Sequence, residues 1–229
     1  MTARSERGEY RMALPQSKLV CTVEQYLEFE RQSEERHQFI DGEIFEMAGE
    51  SLEHSQIGPN FIRELSTTLR GKPCEVLSPN MKIRSGPHIK GMRNTKGLFS
   101  YADCLVVCGQ PLFHDDHKDV LLNPTVVVEV LSHSTQSFDR GDKFRRYQTW
   151  NESLEDYVIS WQTRPRIEHF QRRPDGKWLM EFVEGLESTL RLESIDCELR
   201  LSDLYDRVEF PEDLPEEEAQ FPIGSPPSY

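Results

Sequence analysis

The sequence lacks any long hydrophobic run. Of its 229 residues, 36% are hydrophobic and 29% are charged. No apolar stretch approaches the roughly 20 residues that a helix needs to cross a bilayer. The polar residues 1–16 also lack the apolar centre of a secretion signal. We therefore expect a cytoplasmic protein without a membrane anchor, of a length that fits one domain.

Cysteine is scarce. The five cysteines are Cys21, Cys74, Cys104, Cys108 and Cys197. Their odd number and wide spacing differ from the framework of a small disulfide-rich secreted domain. Cys104 and Cys108 lie four residues apart on a predicted strand, so they face the same way. We expect buried, unreactive thiols here, because a zinc pair needs further ligands that the sequence does not offer.

Positive charge is also in short supply. The formal net charge is -13, which argues against an extended nucleic-acid surface, because phosphate binding relies on Lys and Arg. The segment from residue 70 to residue 96 is an exception, with seven basic residues and one acidic residue, Glu75. This basic segment fits a local phosphate contact and a solvated loop equally well.

Local patterns divide the chain into three parts. Residues 1–18 show no periodicity and are predicted to be a flexible arm. Residues 211–229 form an acidic, proline-rich tail. The folded domain between them, residues 19–210, begins with Thr22 and Gln25 at the spacing of a capping box, which predicts a helix to about residue 32.

The next signals are a turn and an amphipathic helix. Asp41 and Gly42 stand between apolar pairs, which predicts a hairpin, because both residues of the favoured turn need positive φ. Apolar residues then recur every four positions from Ile57 to Leu69, which predicts a helix over residues 55–69.

The remaining elements form a mixed α/β pattern. Residues 101–108 and 124–131 are nearly continuous apolar runs, typical of central strands that are covered on both faces. The further predicted elements are strands at 75–84, 156–161, 166–171 and 178–183, and a helix at 140–150.

Two acids interrupt the two most hydrophobic strands. Asp103 is predicted to share a face with Leu105, and Glu129 with Val127. An ionised carboxylate in such surroundings is costly unless it is paired or binds a cation. If the strands are neighbours, both carboxylates face one site, whose oxygen ligands suit Mg²⁺ or Mn²⁺. The alternative is that each acid stands at a strand end or pairs with an arginine.

A second acidic cluster carries less weight. Asp115, Asp116 and His117 could ligate a metal, but the surrounding residues predict a solvated loop.

Several segments resemble the Uma-two family of restriction endonucleases, which have the PD-(D/E)XK nuclease fold. The resemblance extends from about residue 22 to residue 210. The segments that carry it are Ile40-Asp-Gly-Glu-Ile44, Glu53-His54, Tyr101-Ala-Asp103, Asn123-Pro-Thr-Val-Val-Val-Glu-Val-Leu-Ser132, and Ser134-Thr followed by Asp139-Arg-Gly-Asp-Lys143. The resemblance implies an α-β-β-β-α-β core, preceded by the first helix and hairpin and followed by antiparallel strands. It also implies an Mg²⁺- or Mn²⁺-dependent endonuclease that acts on DNA.

The sequence departs from the superfamily signature at one position. The usual Glu-x-Lys pair is interrupted, because Leu131 stands two residues after Glu129. The resemblance implies that Lys143 on the following helix replaces the missing lysine. The alternative is an exposed helical lysine that pairs with Asp139. Loss of the signature also favours a different function, a catalytically silent scaffold or nucleic-acid-binding module with the nuclease fold.

The resemblance adds weaker expectations. Glu53 and His54 open the helix that carries an accessory acid in related enzymes, so they either reach the site or only cap the helix. The main-chain carbonyl of Val130 is a candidate metal ligand. Apart from the resemblance, a homodimer is expected, because three aromatic residues of the C-terminal strands, Phe170, Trp178 and Phe182, would otherwise be uncovered.

Overall fold

The computed structural model describes residues 20–47, 49–87, 94–132 and 135–210. The predicted arm and tail, and residues 88–93 of the basic segment, lie outside these ranges. The helices are α1 (Val23–Glu30), α2 (Leu52–Thr68), α3 (Gln136–Phe138), α4 (Phe144–Trp150) and α5 (Leu201–Leu204). The strands are β1 (His37–Ile40), β2 (Glu43–Glu46), β3 (Cys74–Leu77), β4 (Lys82–Ser85), β5 (Leu98–Ser100), β6 (Cys104–Cys108), β7 (Val120–Leu121), β8 (Val126–Val130), β9 (Asp156–Ser160), β10 (Arg166–Arg172), β11 (Trp178–Glu184), β12 (Thr189–Leu192) and β13 (Cys197–Arg200). Within the described ranges, no helix has both the length and the apolar character to cross a membrane.

The core of the domain is a six-stranded sheet in the order β11-β10-β9-β8-β6-β3. β8 and β9 are parallel, and the other neighbours are antiparallel. In chain order, α2, β3, β6, β8, α4 and β9 give the α-β-β-β-α-β core. The mixed α/β, restriction-endonuclease-like fold predicted from the sequence is therefore confirmed.

Helices cover both faces of the central strands. On one face, Ile57 and Phe61 of α2 pack against Val128, and on the other, Tyr147 of α4 packs in a cluster with Val127. All five side chains are fully buried. Burial of each such side chain stabilises the fold by about 1.5–3 kcal/mol, which explains why β8 is an apolar run and why a charge within it is unusual.

A second sheet, in the order β2-β1-β5-β4-β7, lies under α1. Asp41 and Gly42 join β1 to β2 with φ of 48° and 100°, which confirms the predicted hairpin turn. The Tyr26 ring of α1 lies 5.2 Å from the ring of Phe39 and 5.6 Å from that of Phe99. The predicted capping box of α1 is also present.

The single strand predicted over residues 75–84 is wrong. The chain forms β3, which pairs with β6 in the central sheet, and then β4, which pairs with β5 in the second sheet. A turn separates them, in which the Met81 N–H donates to the Ser78 carbonyl at 3.0 Å. Pro79 lies inside that turn, and its missing N–H and fixed φ disfavour a continuous strand.

Buried, unreactive thiols were expected at Cys104 and Cys108, and this expectation is wrong for Cys108. Cys108 forms a disulfide with Cys74, while Cys104 is free and buried. The two bonded cysteines lie directly opposite each other in the β3–β6 ladder. This pairing follows from the register of the two strands, which spacing along the chain does not reveal. Because a disulfide is present, the cysteines no longer support a cytoplasmic location, which stays a prediction.

Helical structure before α4 begins earlier than residue 140. After α3, residues Asp139–Lys143 form a π-helical turn that leads into α4. Such turns are uncommon and occur often at functional sites.

The aromatic residues that suggested a homodimer pack within the chain. Phe170 is buried, and its ring centre lies 4.5 Å from that of Phe144. Trp178 also packs on Phe144, and the Arg166 guanidinium covers the Phe182 ring at 3.8 Å. These side chains therefore give no argument for a second copy, and the homodimer stays a prediction.

Candidate active site

Asp103 lies in the bend before β6 and holds β8 through two hydrogen bonds. Its N–H donates to the Val128 carbonyl at 3.0 Å, and its Oδ2 accepts from the Val130 N–H at 2.6 Å. Because Cys104 pairs with Val128 in this antiparallel ladder, the next position along places Asp103 beside Glu129. The carboxylate takes the place of the main-chain carbonyl that a longer β6 would supply. Asp103 is therefore fixed against the strand that carries Glu129.

The other oxygen of Asp103 contacts helix α2. Asp103 Oδ1 lies 2.9 Å from His54 Nε2. The Ser51 hydroxyl caps α2 by accepting from the His54 N–H at 3.1 Å. Ser51, rather than the Glu53–His54 pair, is therefore the capping residue. Burial lowers the pKa of His54, but the hydrogen bond and charge of Asp103 outweigh it and the pKa lies above its ordinary value.

Glu50 completes a group that suits a cation. One potential ligand atom each from Glu50, His54 and Asp103 lies within 4.8 Å of the others. Two carboxylates and an imidazole match the preferences of Mn²⁺, and Mg²⁺ fits when the oxygens alone bind. Glu50 was not predicted, although it lies four residues before His54, because it precedes α2 and the apolar periodicity marked a helix only from about residue 55.

Glu129 faces a buried lysine. Lys143 Nζ lies 2.7 Å from Glu129 Oε1 and 3.2 Å from Asp139 Oδ1. The side chains of all three are at most 7% exposed. Asp139 and Lys143 are the two ends of the π-helical turn, so both interactions considered for Lys143 occur together.

This cluster holds more negative than positive charge. Burial raises the pKa of Glu129 well above its ordinary value, and Asp139 and Asp103 act in the same direction while Lys143 opposes them. Burial also disfavours the Lys143 ammonium, but the charges of Glu129 and Asp139 outweigh it and raise the pKa of Lys143. Lys143 is therefore a protonated cation at neutral pH.

Tyr101, in the segment between β5 and β6, connects Lys143 to the chain just before Asp103. The Tyr101 carbonyl accepts from Lys143 Nζ at 3.1 Å, two residues before Asp103. The Tyr101 hydroxyl donates to Glu30 Oε1 of α1 at 2.6 Å. The sequence showed Tyr101 only as part of a resembling segment, because a main-chain carbonyl leaves no signal in residue identity.

Asp103 and Glu129 approach the site from different sides. The strand alternation that placed Asp103 on the face of Leu105 does not hold, because Asp103 lies outside β6. Its side chain contacts His54 of α2, whereas Leu105 packs in the cluster that contains Tyr147 of α4. Asp103 therefore contacts α2, whereas Glu129 contacts Lys143 on the side of α4, and the two residues are neighbours only across the β6–β8 pair.

The second acidic cluster is an ion-pair network. Arg31 Nη2 lies 2.7 Å from carboxylate oxygens of both Asp115 and Asp119. Asp119 also pairs with Lys82 at 3.2 Å. Asp116 is exposed. These contacts favour a structural role over a metal site.

Several basic side chains of the segment from residue 70 to residue 96 are buried or paired within the domain. Lys82 and Arg84 are buried, and Arg84 donates to the Pro87 carbonyl at 2.9 Å. Lys72 pairs with Asp196. Lys90 and Arg93 lie outside the described residues. Lys82, Lys72 and Arg84 therefore contribute little to a phosphate-binding loop.

The family model Uma2, described as "Putative restriction endonuclease", matches residues 23–202. The chain belongs to the Uma2 family. Two uncharacterized proteins of Synechocystis sp. (strain ATCC 27184 / PCC 6803 / Kazusa) are similar to it. One, sll1609, is 31% identical over 72% of this chain and 89% of its own length. The other, slr1290, is 32% identical over 82% of this chain and 92% of its own length.

A solved structure shares the Uma2 fold. It is described as "a putative nuclease belonging to DUF820 from Anabaena variabilis ATCC 29413" and superposes with a TM-score of 0.64. The match covers 80% of this chain and 97% of the other at 12% identity. The same fold is thus kept at low identity, which supports the assignment of the core elements.

Proposed function

We propose that this Uma2 protein is an Mg²⁺- or Mn²⁺-dependent endonuclease that hydrolyses phosphodiester bonds in DNA. The observation that carries the proposal is the contact between Lys143 and Glu129, 2.7 Å apart. A lysine from the helix after β8 brings its ammonium to the glutamate whose own strand offers only Leu131. The nuclease-like fold and the family support the same reaction.

The acidic residues fit a divalent cation. Asp103 and Glu129 would hold it, with Glu50 and His54 beside Asp103 and the Val130 carbonyl as a further ligand. When bound, the cation would lower the pKa of a water molecule and neutralise charge on the phosphate. Burial, Asp139 and Asp103 together raise the pKa of Glu129, and a bound cation would favour its ionised form.

The chain's own residues have separate roles. The Lys143 ammonium stabilises the charge that develops on the scissile phosphate. His54 orients Asp103 through its hydrogen bond to Oδ1. The Val130 N–H fixes the other carboxylate oxygen, so that Asp103 is held in one geometry before substrate arrives.

The test is cleavage of supercoiled plasmid and varied linear DNA with Mg²⁺ or Mn²⁺. We expect nicked or linear products, and no cleavage after Asp103→Asn or Glu129→Gln. Asp175→Asn, in an exposed turn, is the control and keeps full activity. If Asp103→Asn cuts as fast as the parent protein, the activity belongs to a contaminant or to another site.

Lack of cleavage by the parent protein across varied DNA would favour the catalytically silent scaffold or binding module. The two functions differ in one observation, since a binding module retains DNA binding without producing cut strands.

A further inference from the structure

Three arginines surround one indole ring. The guanidinium carbons of Arg140, Arg164 and Arg166 lie 4.8, 4.5 and 4.8 Å from the centre of the Trp161 ring. Stacking on an aromatic face stabilises a guanidinium, because the ring quadrupole attracts a cation. A single ring seldom collects three cations, because they repel one another at this separation.

The arginine cluster, Arg140, Arg164 and Arg166, is not neutralised by its neighbours. Arg140 Nη2 lies 2.7 Å from Glu168 Oε1, and Arg166 Nε lies 2.9 Å from Glu184 Oε1. Glu168 also accepts from the indole N–H of Trp161 at 2.8 Å. Three guanidinium groups thus face two carboxylates, which leaves one positive charge in excess.

Several donors of the cluster have no acceptor. Among the described residues, Nε and Nη2 of Arg164 and Nη1 of Arg166 are buried without a hydrogen-bond partner. Arg166 is only 2% exposed. A buried guanidinium with unpaired donors is unfavourable. Burial lowers the pKa of Arg166, Glu184 opposes this, and the charges of Arg164 and Arg140 add to the lowering.

The arginine cluster lies at the same end of the sheet as the candidate active site. Trp161 follows Ser160, which lies opposite Val130 in the β8–β9 pair. Arg140 follows Asp139 in the chain. On the other side, the Ser51 hydroxyl at the start of α2 donates to Gln162 Oε1 at 2.6 Å. The segment between β9 and β10 is therefore held beside the helix that carries His54.

We propose that Arg140, Arg164 and Arg166 form an anion site that binds one backbone phosphate of a DNA chain next to the cleavage centre. The choice of DNA rests on the proposed function. A phosphodiester carries one negative charge, which equals the excess of the cluster. The fork of the guanidinium presents paired N–H donors to phosphate oxygens. Arg164, half-buried in the β9–β10 connection, is the arginine that a phosphate meets first.

The experiment measures binding of a fluorescein-labelled DNA duplex by anisotropy in EDTA, so that cleavage plays no part. We expect Arg164→Ala to raise the dissociation constant about tenfold, as for loss of one charge-assisted contact. The slope of log affinity against log salt concentration should fall by about 0.9, the share of one phosphate contact. Arg164→Lys should restore part of the affinity, because it keeps the charge without the fork.

The matched control is Arg173→Ala. Arg173 is exposed in the turn after the far end of β10, and its removal changes the net charge equally. The proposal is overturned if Arg173→Ala weakens DNA binding as much as Arg164→Ala does, or if Arg164→Ala does not weaken it. It is also overturned if the parent protein binds no DNA at low salt. Circular dichroism checks folding. If Arg164→Ala is unfolded, Arg164→Gln replaces it, because glutamine removes the charge and keeps much of the side-chain packing, and the same loss of affinity and salt slope is expected.

The two proposals fail separately. Binding that depends on Arg164 without any cleavage in Mg²⁺ or Mn²⁺ removes the nuclease and keeps the anion site. If Asp103→Asn abolishes cleavage while Arg164→Ala binds DNA as tightly as the parent protein, the nuclease is kept and the anion site is removed.

Discussion

Lys143 is the residue on which the charge balance of the site depends. It is buried between Glu129 and Asp139, whereas one alternative from the sequence was an exposed helical lysine. Removal of one member of a buried ion pair leaves its partner charged and desolvated, which costs about 3–5 kcal/mol. The same side chain therefore contributes to stability and to the proposed chemistry.

We predict that Lys143→Ala lowers the free energy of unfolding by about 3–5 kcal/mol and slows cleavage about 10²-fold or more. Urea denaturation measures the first and plasmid cleavage the second. In a double-mutant cycle, Lys143→Met should cost less stability when Glu129→Gln is also present, because Asp139 is then the only buried carboxylate of the pair that loses its lysine. Additive losses would show that the two residues are not coupled. Lys143→Arg should keep partial activity, because it keeps the charge with a different reach.

His169 offers a separate test through pH. Its Nε2 lies 2.6 Å from Asp156 and its Nδ1 lies 3.1 Å from Glu181. Burial lowers the pKa of His169, but these two acids outweigh it, so the pKa is raised. The protonated form therefore stabilises the fold fully below the unfolded-state pKa of about 6.5, and this stabilisation is lost as pH rises through the higher folded-state pKa.

We expect His169→Gln to cost more stability near pH ~6 than near pH ~8.5, as measured by urea unfolding at both values. Glutamine keeps hydrogen bonds to the acids and removes only the titrating charge. A loss that is the same at both pH values would mean that His169 is neutral in the folded protein throughout.

At the scale of elements, the pairing of β3 with β6 sets an edge of the central sheet. The Cys74–Cys108 disulfide closes a loop between residues 34 positions apart. A cross-link of this length restricts the unfolded chain and stabilises the fold by about 3–4 kcal/mol in the chain-entropy model. β6 leads from this disulfide back to Asp103 at its other end.

We predict that the unfolded, unreduced protein has three reactive thiols, those of Cys21, Cys104 and Cys197. Thiol titration in denaturant before and after reduction tests this. Cys74→Ser should lower the free energy of unfolding by about 3–4 kcal/mol, and the reductant should then have no further effect. Cys197→Ser is the control for removal of a free cysteine. Five thiols before reduction would show that the bond does not form.

The π-helical turn is a second element that shapes the site. Asp139–Lys143 widens the start of the helix after β8, and its two ends are the residues that pair with each other. A regular α-helix would change the direction of Lys143 relative to Glu129. The turn therefore belongs to the geometry by which a helix lysine reaches a strand glutamate.

For the whole molecule, the net charge of -13 opposes the approach of DNA. At 0.1 M salt, exposed charges interact over about 10 Å. The attraction of the three arginines for DNA is therefore opposed by repulsion from acidic residues within that distance. Divalent cations that bind the acidic group of Glu50, His54 and Asp103 would relieve this repulsion close to the site.

We therefore expect the affinity for duplex DNA to rise when Mg²⁺ replaces K⁺ at constant ionic strength. Anisotropy titrations over short incubations measure the affinity, and denaturing gels of the same samples confirm that the DNA is intact. Equal affinity in the two salts would indicate that no cation contributes to the bound state.

The sequence by itself determined the elements whose signals are local. The Asp41-Gly42 hairpin, the capping box at Thr22 and the order of the core strands follow from turn chemistry and apolar patterning, which act between near neighbours. The two acids within apolar runs, Asp103 and Glu129, stood out for the same reason. Family resemblance then indicated Lys143, which no periodicity had marked.

Only the tertiary structure decided how distant segments meet. Strand register, which placed Cys74 opposite Cys108, depends on contacts summed over a whole sheet. The side on which Asp103 points depends on where β6 begins. Glu50 reaches the site, and Arg164 reaches Trp161, through chain packing that leaves no pattern in the sequence. Local interactions determine which elements form, and long-range packing determines which side chains share a site.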